Sequence, residues 1–224
     1  MRNRHLPIES KPRNLMSMPL NHPPPLREDV ASVLKSAQDL AHWIAERQDG
    51  LEIKSKNSTR IPGVLLDLCL EHQVGITHLV TGRMNGPAFA LIRPQFEVLV
   101  RALWLCLCAS TEEVQSFIDT DHLALNFGEL VQAIEKHDDF DGKILSGIKK
   151  AAWKAMHGYT HGGMHQIARR IKEKCIEPSY EPEEIIEVLK VSGTLALMAL
   201  QQIGRLAGNE QVIADVNKRL SRDN

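Results

Sequence analysis

A chain of 224 residues with 43% apolar and 25% charged residues has the length and composition of a folded globular protein. Its formal net charge of -1 excludes a global field that would draw the whole chain to nucleic acid or to a membrane surface, so any anion binding must come from a local patch. Aromatic residues make up only 4%, which argues against a protein that stacks many bases of a single strand.

The elements predicted along the chain are almost all helical. Residues 1–25 are polar and proline-rich, and we predict a disordered or extended arm there, followed by a single all-helical domain over 26–224. Apolar residues recur at helical spacing from Leu26 onward, and alternation typical of strands is nearly absent. The predicted helices cover 26–48, 62–81, 87–109, 111–119, 123–136, 143–157, 160–175, 182–207 and 211–220. The fold class is therefore all-α, a helical bundle of five to six main helices with short extra helices.

Several helix starts carry local signals. Pro62, Pro87 and Pro182 each suit the first turn of a helix, because proline's missing amide hydrogen is not needed there. Ser110 and Glu113 have the spacing of a capping box, in which each side chain bonds the other residue's backbone amide.

The four cysteines form no CxxC pair, so their spacing does not support a zinc–thiolate site. We interpret them as reduced packing residues of a cytoplasmic protein. No apolar segment of a signal peptide is visible at the N-terminus, and no uncharged run is long and apolar enough to cross a bilayer. We expect no membrane association, no metal and no cofactor.

The most unusual segment is 157–165, which holds three of the ten histidines and three of the fourteen glycines. If one helix ends at His157, Gly158 suits the left-handed position after it, and Thr160 suits the N-cap of the next helix. His157 would then lie at a helix C-terminus and His161 at a helix N-terminus, where the helix dipoles favour opposite protonation states. Two such histidines are the ingredients of an acid–base pair.

The same segment has features of an anion-binding site. Gly162 and Gly163 would leave the first-turn amides of the second helix uncovered, and such amides bind anions well. His165 and Arg169 follow His161 at intervals of four residues, which predicts one cationic helix face.

Two other interpretations of this segment stay open. The glycines would simply allow a neighbouring helix to pack closely, with the histidines bonded to backbone or water. Alternatively, His157, His161 and His165 would supply three ligands to a metal, although spacing of four often recurs by chance.

A second constellation is Arg93, Glu97 and Arg101, which the spacing of four places on one face of the third helix. Such a ladder is costly to bury unless its charges are paired. It therefore forms either a structural ion-pair ladder or one wall of a polar pocket, in which Glu97 would also orient a histidine.

Residues 91–97 (LIRPQFE), 101–105 (RALWL) and 157–163 (HGYTHGG) together resemble a family of uncharacterised bacterial helical proteins that carries no established activity. More distantly, the helix count and the late histidine resemble the HEPN superfamily of all-α domains, many of which are metal-independent ribonucleases. Their signature is an arginine, four to six residues, then a histidine. The resemblance implies the histidine role for His161, and it leaves the arginine role to Lys154 or Arg93.

These observations lead to three functional hypotheses. The first is metal-independent RNA cleavage in a defence or toxin–antitoxin setting. One of His157 and His161 would accept the 2′-hydroxyl proton, the other would protonate the leaving oxygen, and Arg93 would stabilise the phosphorane. The second is a non-catalytic module that dimerises or binds a protein partner. The third is a sensor of a small anionic ligand. The HEPN resemblance also implies a homodimer.

Overall fold

The structure, a computed structural model, describes residues 25–138, 140, 142–171 and 178–221. The predicted arm therefore lies outside the described residues except for its last position, and so does the predicted end of the helix that would reach Cys175.

The described part of the chain contains helices and no strand, so the all-α prediction is confirmed. Five helices are long and four are short, as the predicted bundle with extra helices requires. In chain order they are α1 (Glu28–Gln48), α2 (Asn57–Thr81), α3 (Asn85–Leu107), α4 (Thr111–Thr120), α5 (Phe127–Ile134), α6 (Ile144–Thr160), α7 (Met164–Ala168), α8 (Pro182–Ala207) and α9 (Glu210–Leu220). Among the described residues, none of these helices combines the length and the apolar character that crossing a membrane requires.

The core lies where α2, α3 and α8 pack together, with α1 covering α2 and α8. Its centre is filled by fully buried side chains such as Phe96, Leu99 and Leu195. Burial of such apolar surface supplies most of the driving force for folding.

Two buried glutamines link these helices through their side-chain amides. Gln73 on α2 donates to the carbonyl oxygen of Ala37 on α1 at 3.1 Å. Gln95 on α3 donates to the carbonyl oxygens of Cys69 and Ser192 at 3.2 and 3.1 Å, which joins α3 to α2 and α8. Because a buried amide is costly unless it is hydrogen-bonded, these bonds favour one arrangement of the four helices.

Local interactions stabilise several helix ends, and those at Ser110 and Pro182 were predicted. Ser110 and Glu113 form the predicted capping box at the start of α4. Pro182 opens α8, and Gly208 ends it in the left-handed conformation with φ 66°. Glu135 caps α6 from outside, because its carboxylate accepts the backbone amide of Ser146 at 2.8 Å.

Two predicted helix starts before α6 were wrong. Helix α2 begins five residues before Pro62, at Asn57, where the Thr59 hydroxyl donates to the Lys56 carbonyl at 3.0 Å and holds an extra first turn. Helix α5 begins only at Phe127, because Asn126 caps it by accepting the amides of Gly128 and Glu129.

Candidate functional site

The corner between α6 and α7 differs from the prediction. Helix α6 does not end at His157 but continues to Thr160, and the His161 amide donates to the His157 carbonyl at 3.0 Å. Gly158 is therefore a buried helical residue, and the left-handed position belongs to Gly162, with φ 65°. Thr160 does not cap the next helix, because its hydroxyl donates to the Met156 carbonyl at 2.9 Å and to that of Ala90 on α3 at 3.1 Å.

Two of the glycines serve close packing at this corner. The Gly163 amide donates to the Gly158 carbonyl at 2.7 Å, so it is not an uncovered amide as predicted. A Cβ atom on Gly163 would lie 3.0 Å from the Gly158 Cα, and a Cβ atom on Gly158 would lie 2.9 Å from the His165 ring. The packing interpretation therefore holds for Gly158 and Gly163, whereas Gly162 is exposed and is needed for its backbone conformation.

Both histidines of the proposed pair lie at the C-terminal end of α6. His157 is in its last turn, and His161 occupies the C-cap. The predicted placement at two helix ends of opposite polarity was wrong, because the first helix continues past Gly158. The helix dipole therefore does not distinguish His157 from His161.

The structure brings together Arg93, Glu97, His157 and His161, four of the predicted site residues. Arg93 Nε donates to Glu97 Oε1 at 2.7 Å on α3, and the Arg93 guanidinium also contacts Nδ1 of His157 on α6. The ring centroids of His157 and His161 are 4.6 Å apart. Arg93 and Glu97 are largely covered, with side chains 17% and 24% exposed, whereas both histidines are exposed. The group is a connected polar cluster that opens to solvent.

The contact between Arg93 and His157 involves a ring nitrogen whose role depends on the tautomer. A guanidinium can only donate hydrogen bonds, so a hydrogen bond here requires Nδ1 of His157 to accept. The neutral tautomer with its proton on Nε2 meets that requirement. Such a ring presents a hydrogen-bond donor to a ligand, while His161 has no equivalent contact with a guanidinium among the described residues.

Trp153 is a site residue that the sequence analysis missed. The Arg93 guanidinium lies 4.7 Å from the centroid of its ring, and the ring stacks on Phe127 with centroids 4.4 Å apart. This cation–π contact helps to hold Arg93 in place. The spacing of four residues between Trp153 and His157 was a signal that the two share one face of a helix.

The remaining predicted anion-binding residues do not join the cluster. Arg101 is exposed and has no hydrogen bond or ion pair with any described residue. Arg169 Nε donates to Glu184 Oε2 on α8 at 2.7 Å, and this bond holds the pKa of Glu184 below its usual range. His165 packs on Gly158, and the ring centroids of His165 and Tyr159 are 5.9 Å apart. The predicted face of His161, His165 and Arg169 does not form, because α7 has only five residues and begins after His161.

The cysteines and the alternative metal site contribute nothing to this cluster. Within the described ranges, no group of three or more potential metal-ligating side chains comes together, so the three histidines do not form a ligand set. Cys69, Cys106 and Cys108 are free and pack in or against the core, as predicted, while Cys175 lies outside the described residues. Burial raises the pKa of Cys69 and of Cys106 to about 12, so neither thiol is a ready nucleophile at neutral pH.

Comparisons with known proteins give one relationship. Neither the curated proteins nor the solved structures provided a match. A family model described as a family of unknown function, DUF6988, matches residues 66–222. The match includes the whole polar cluster and extends over more than half of the sequence. The chain therefore belongs to the DUF6988 family.

Proposed function

We propose that this protein is a metal-independent ribonuclease whose active site is the cluster of Arg93, Glu97, His157 and His161. The observation that carries the proposal is the continuous chain of contacts from Glu97 through Arg93 and His157 to His161, ending in two exposed imidazoles. A fixed guanidinium beside two histidines combines phosphate recognition with proton transfer. The HEPN-like character and a role in bacterial defence or toxin–antitoxin systems rest on the resemblance alone.

The arrangement favours His161 as the residue that moves protons. His161 accepts the 2′-hydroxyl proton while the 2′-oxygen attacks phosphorus, and the resulting imidazolium returns that proton to the leaving 5′-oxygen. The new bond joins the 2′-oxygen to phosphorus and the broken bond is that to the 5′-oxygen, so the products are a 2′,3′-cyclic phosphate and a 5′-hydroxyl end. His157, whose Nδ1 is engaged by Arg93, offers its Nε2 hydrogen to a phosphate oxygen.

Arg93 and Glu97 prepare the phosphate side of the reaction. Arg93 uses one N–H group on Glu97 and one on His157, and a guanidinium has five, so donors remain for the phosphorane oxygens. Glu97 acts as a positioning residue because it fixes the plane of that guanidinium. Donors aimed beforehand at the developing charge stabilise the transition state without further reorganisation.

The test is cleavage of an end-labelled RNA strand by the full chain in the presence of EDTA. We expect cyclic phosphate products, and we expect His161→Ala to lower the rate about 10²- to 10⁴-fold, the usual contribution of general acid–base catalysis. The matched control is His42→Ala, an exposed histidine on α1, which should cleave like the wild type. Equal cleavage by wild type and His161→Ala, no cleavage by either, or loss of activity with EDTA would overturn the proposal.

A second candidate function is a module that dimerises or binds a protein partner. Three apolar side chains that follow His161 in the sequence support it, because Met164, Ile167 and Ile171 are 69%, 41% and 63% exposed. Exposed apolar surface of this kind often belongs to an interface. Sedimentation should then show a dimer that Ile167→Asp dissociates, and a monomer at all concentrations would contradict self-association. Binding of RNA without cleavage would instead favour the anionic-ligand sensor.

A further inference from the structure

One face of α6 is an exposed basic stripe that leads to the histidines. Lys143, Gly147, Lys150, Lys154, His157 and His161 follow one another at intervals of three or four residues, and all six are exposed. This spacing places them on one side of the helix. Because α6 has seventeen residues, the stripe is about 25 Å long.

The charge of this segment is strongly one-sided. Residues 142–171 include no aspartate or glutamate, and their lysines and arginines are Lys143, Lys149, Lys150, Lys154, Arg169 and Arg170. Among the described residues, no carboxylate pairs with Lys143, Lys150 or Lys154. The chain as a whole has a formal charge of -1, so the excess of lysine and arginine is local to this segment. A carboxylate from outside the segment, that of Glu135, accepts the backbone amide of Ser146 at 2.8 Å.

A depression beside the stripe shares Trp153 with the candidate active site. An open depression of about 520 Å³ is lined by Lys143, Ser146, Gly147, Lys149, Lys150 and Trp153. Trp153 also lies under the Arg93 guanidinium, at 4.7 Å, so the same indole borders the depression and supports the cluster. The depression therefore ends beside the indole on which the Arg93 guanidinium lies.

We infer that the exposed face of α6 is the binding track for the RNA strand, and that it delivers the scissile phosphate to Arg93, His157 and His161. The inference rests on the proposed ribonuclease function and specifies its substrate as a strand of several nucleotides rather than a dinucleotide. Successive cations along a helix match the successive phosphates of a strand, and phosphate neutralisation gives affinity without sequence preference. An acidic protein segment would have no use for the acid–base groups at the end of the stripe.

Gly147 provides the sharpest test because it lies in the middle of the stripe with open space around it. No atom lies within 4 Å of the position that a Cβ would take there. Glutamate, glutamine and lysine are all better helix formers than glycine, so Gly147→Glu, Gly147→Gln and Gly147→Lys should all fold at least as well as the wild type. They differ mainly in the charge that they add to the stripe.

Binding is measured with a labelled 2′-O-methyl RNA strand, which has no 2′-hydroxyl to react. We expect the affinity to fall in the order Gly147→Lys, Gly147→Gln, Gly147→Glu, with roughly a 10-fold span at low salt. A triple variant of Lys143, Lys150 and Lys154 to glutamine should make the slope of log K against log salt less negative by about 2, because each phosphate contact on a single strand contributes about 0.7. The matched control replaces Lys54, Lys56 and Lys190, three exposed lysines elsewhere, with glutamine.

Equal affinity of the three Gly147 variants for the RNA strand would overturn the inference. An equal change in the salt dependence of binding for the two triple lysine variants would also overturn it. Competition by polyglutamate as effective as by RNA of the same charge would also overturn it, in favour of an acidic protein partner. Failure of the ribonuclease proposal is distinguishable, since it appears as cleavage unaffected by His161→Ala. If both proposals hold, Gly147→Glu raises KM for a long RNA strand by a larger factor than it raises KM for a dinucleotide.

Discussion

Burial differs sharply between two regions of the molecule, the core of α2, α3 and α8 and the corner of α6 and α7. Thirteen residues of α8 are buried, whereas α6 buries only Leu145, Met156 and Gly158, and α7 buries none. Helix α3 belongs to both regions, with Leu99 in the core and Arg93 facing α6. The buried core and the exposed polar cluster are therefore separated in space, and α3 links them because it holds the Arg93 guanidinium beside the exposed histidines.

Truncation of a core side chain should lower the free energy of unfolding and leave the contacts of the polar cluster in place. Leu99 is fully buried, so Leu99→Ala removes apolar contacts and leaves a cavity. We expect the free energy of unfolding to fall by about 2 to 5 kcal/mol in urea titrations. Val64→Ala on α2, where the side chain is 61% exposed, is the control and should change it by less than about 0.5 kcal/mol. Similar losses in the two variants would mean that this core is not the stabilising region.

Substitution of Arg93 should have the reverse effect, a large loss of activity with little loss of stability. Arg93→Lys keeps the charge but cannot contact Glu97, His157 and a phosphate at the same time, because an ammonium lacks the planar fork. If the cluster is catalytic, kcat for RNA cleavage should fall about 10²- to 10³-fold. The free energy of unfolding should fall by no more than about 1 kcal/mol, since a lysine ammonium keeps the charge that pairs with Glu97. The control is Arg101→Lys, at an exposed position one turn beyond Glu97, which should change neither kcat nor the free energy of unfolding. Full activity of Arg93→Lys would contradict a role for its fork.

The corner itself depends on a backbone conformation at one position. Gly162 has φ 65°, which costs a residue with a Cβ about 1 kcal/mol. Gly162→Ala should lower the free energy of unfolding by that amount in urea titrations. Gly147→Ala, the same substitution inside α6 with open space around it, should raise the free energy by about 0.5 to 1 kcal/mol. If Gly162→Ala raised the free energy of unfolding as Gly147→Ala does, the left-handed conformation at Gly162 would not be required.

The ion pair between Arg169, directly after α7, and Glu184 on α8 should have the smallest effect on the free energy of unfolding. The effect should be present only at a pH at which Glu184 is ionised. Arg169 holds the pKa of Glu184 below 4.5, so the ionised carboxylate stabilises the fold above that pH. This contribution is lost as the pH falls through the lowered pKa. Glu184→Gln should therefore reduce the free energy of unfolding by less than about 1 kcal/mol at pH 7, with the difference vanishing in strong acid. Glu187→Gln on the exposed side of α8 is the control, and a difference from wild type that persists in strong acid would contradict the mechanism.

The fold class and many helix boundaries could be predicted from the amino-acid sequence, because their causes are local. Apolar spacing places α1 and α8 within two residues of their predicted bounds, and the pair of Ser110 and Glu113 starts α4. Spacing of four residues also paired Arg93 with Glu97, since neighbours on one helix face need no tertiary information.

The arrangement of the candidate site depends on contacts between residues that are distant in the sequence. Gly158 by sequence ends a helix, yet α6 continues through it because the Thr160 hydroxyl binds Ala90 on another helix and His165 packs where a side chain would be. The contact of Arg93 with His157 joins residues 64 positions apart, which no helical period encodes. Local propensity favours an end at glycine, but packing of α6 against α3 outweighs it and carries His157 and His161 to the same helix end.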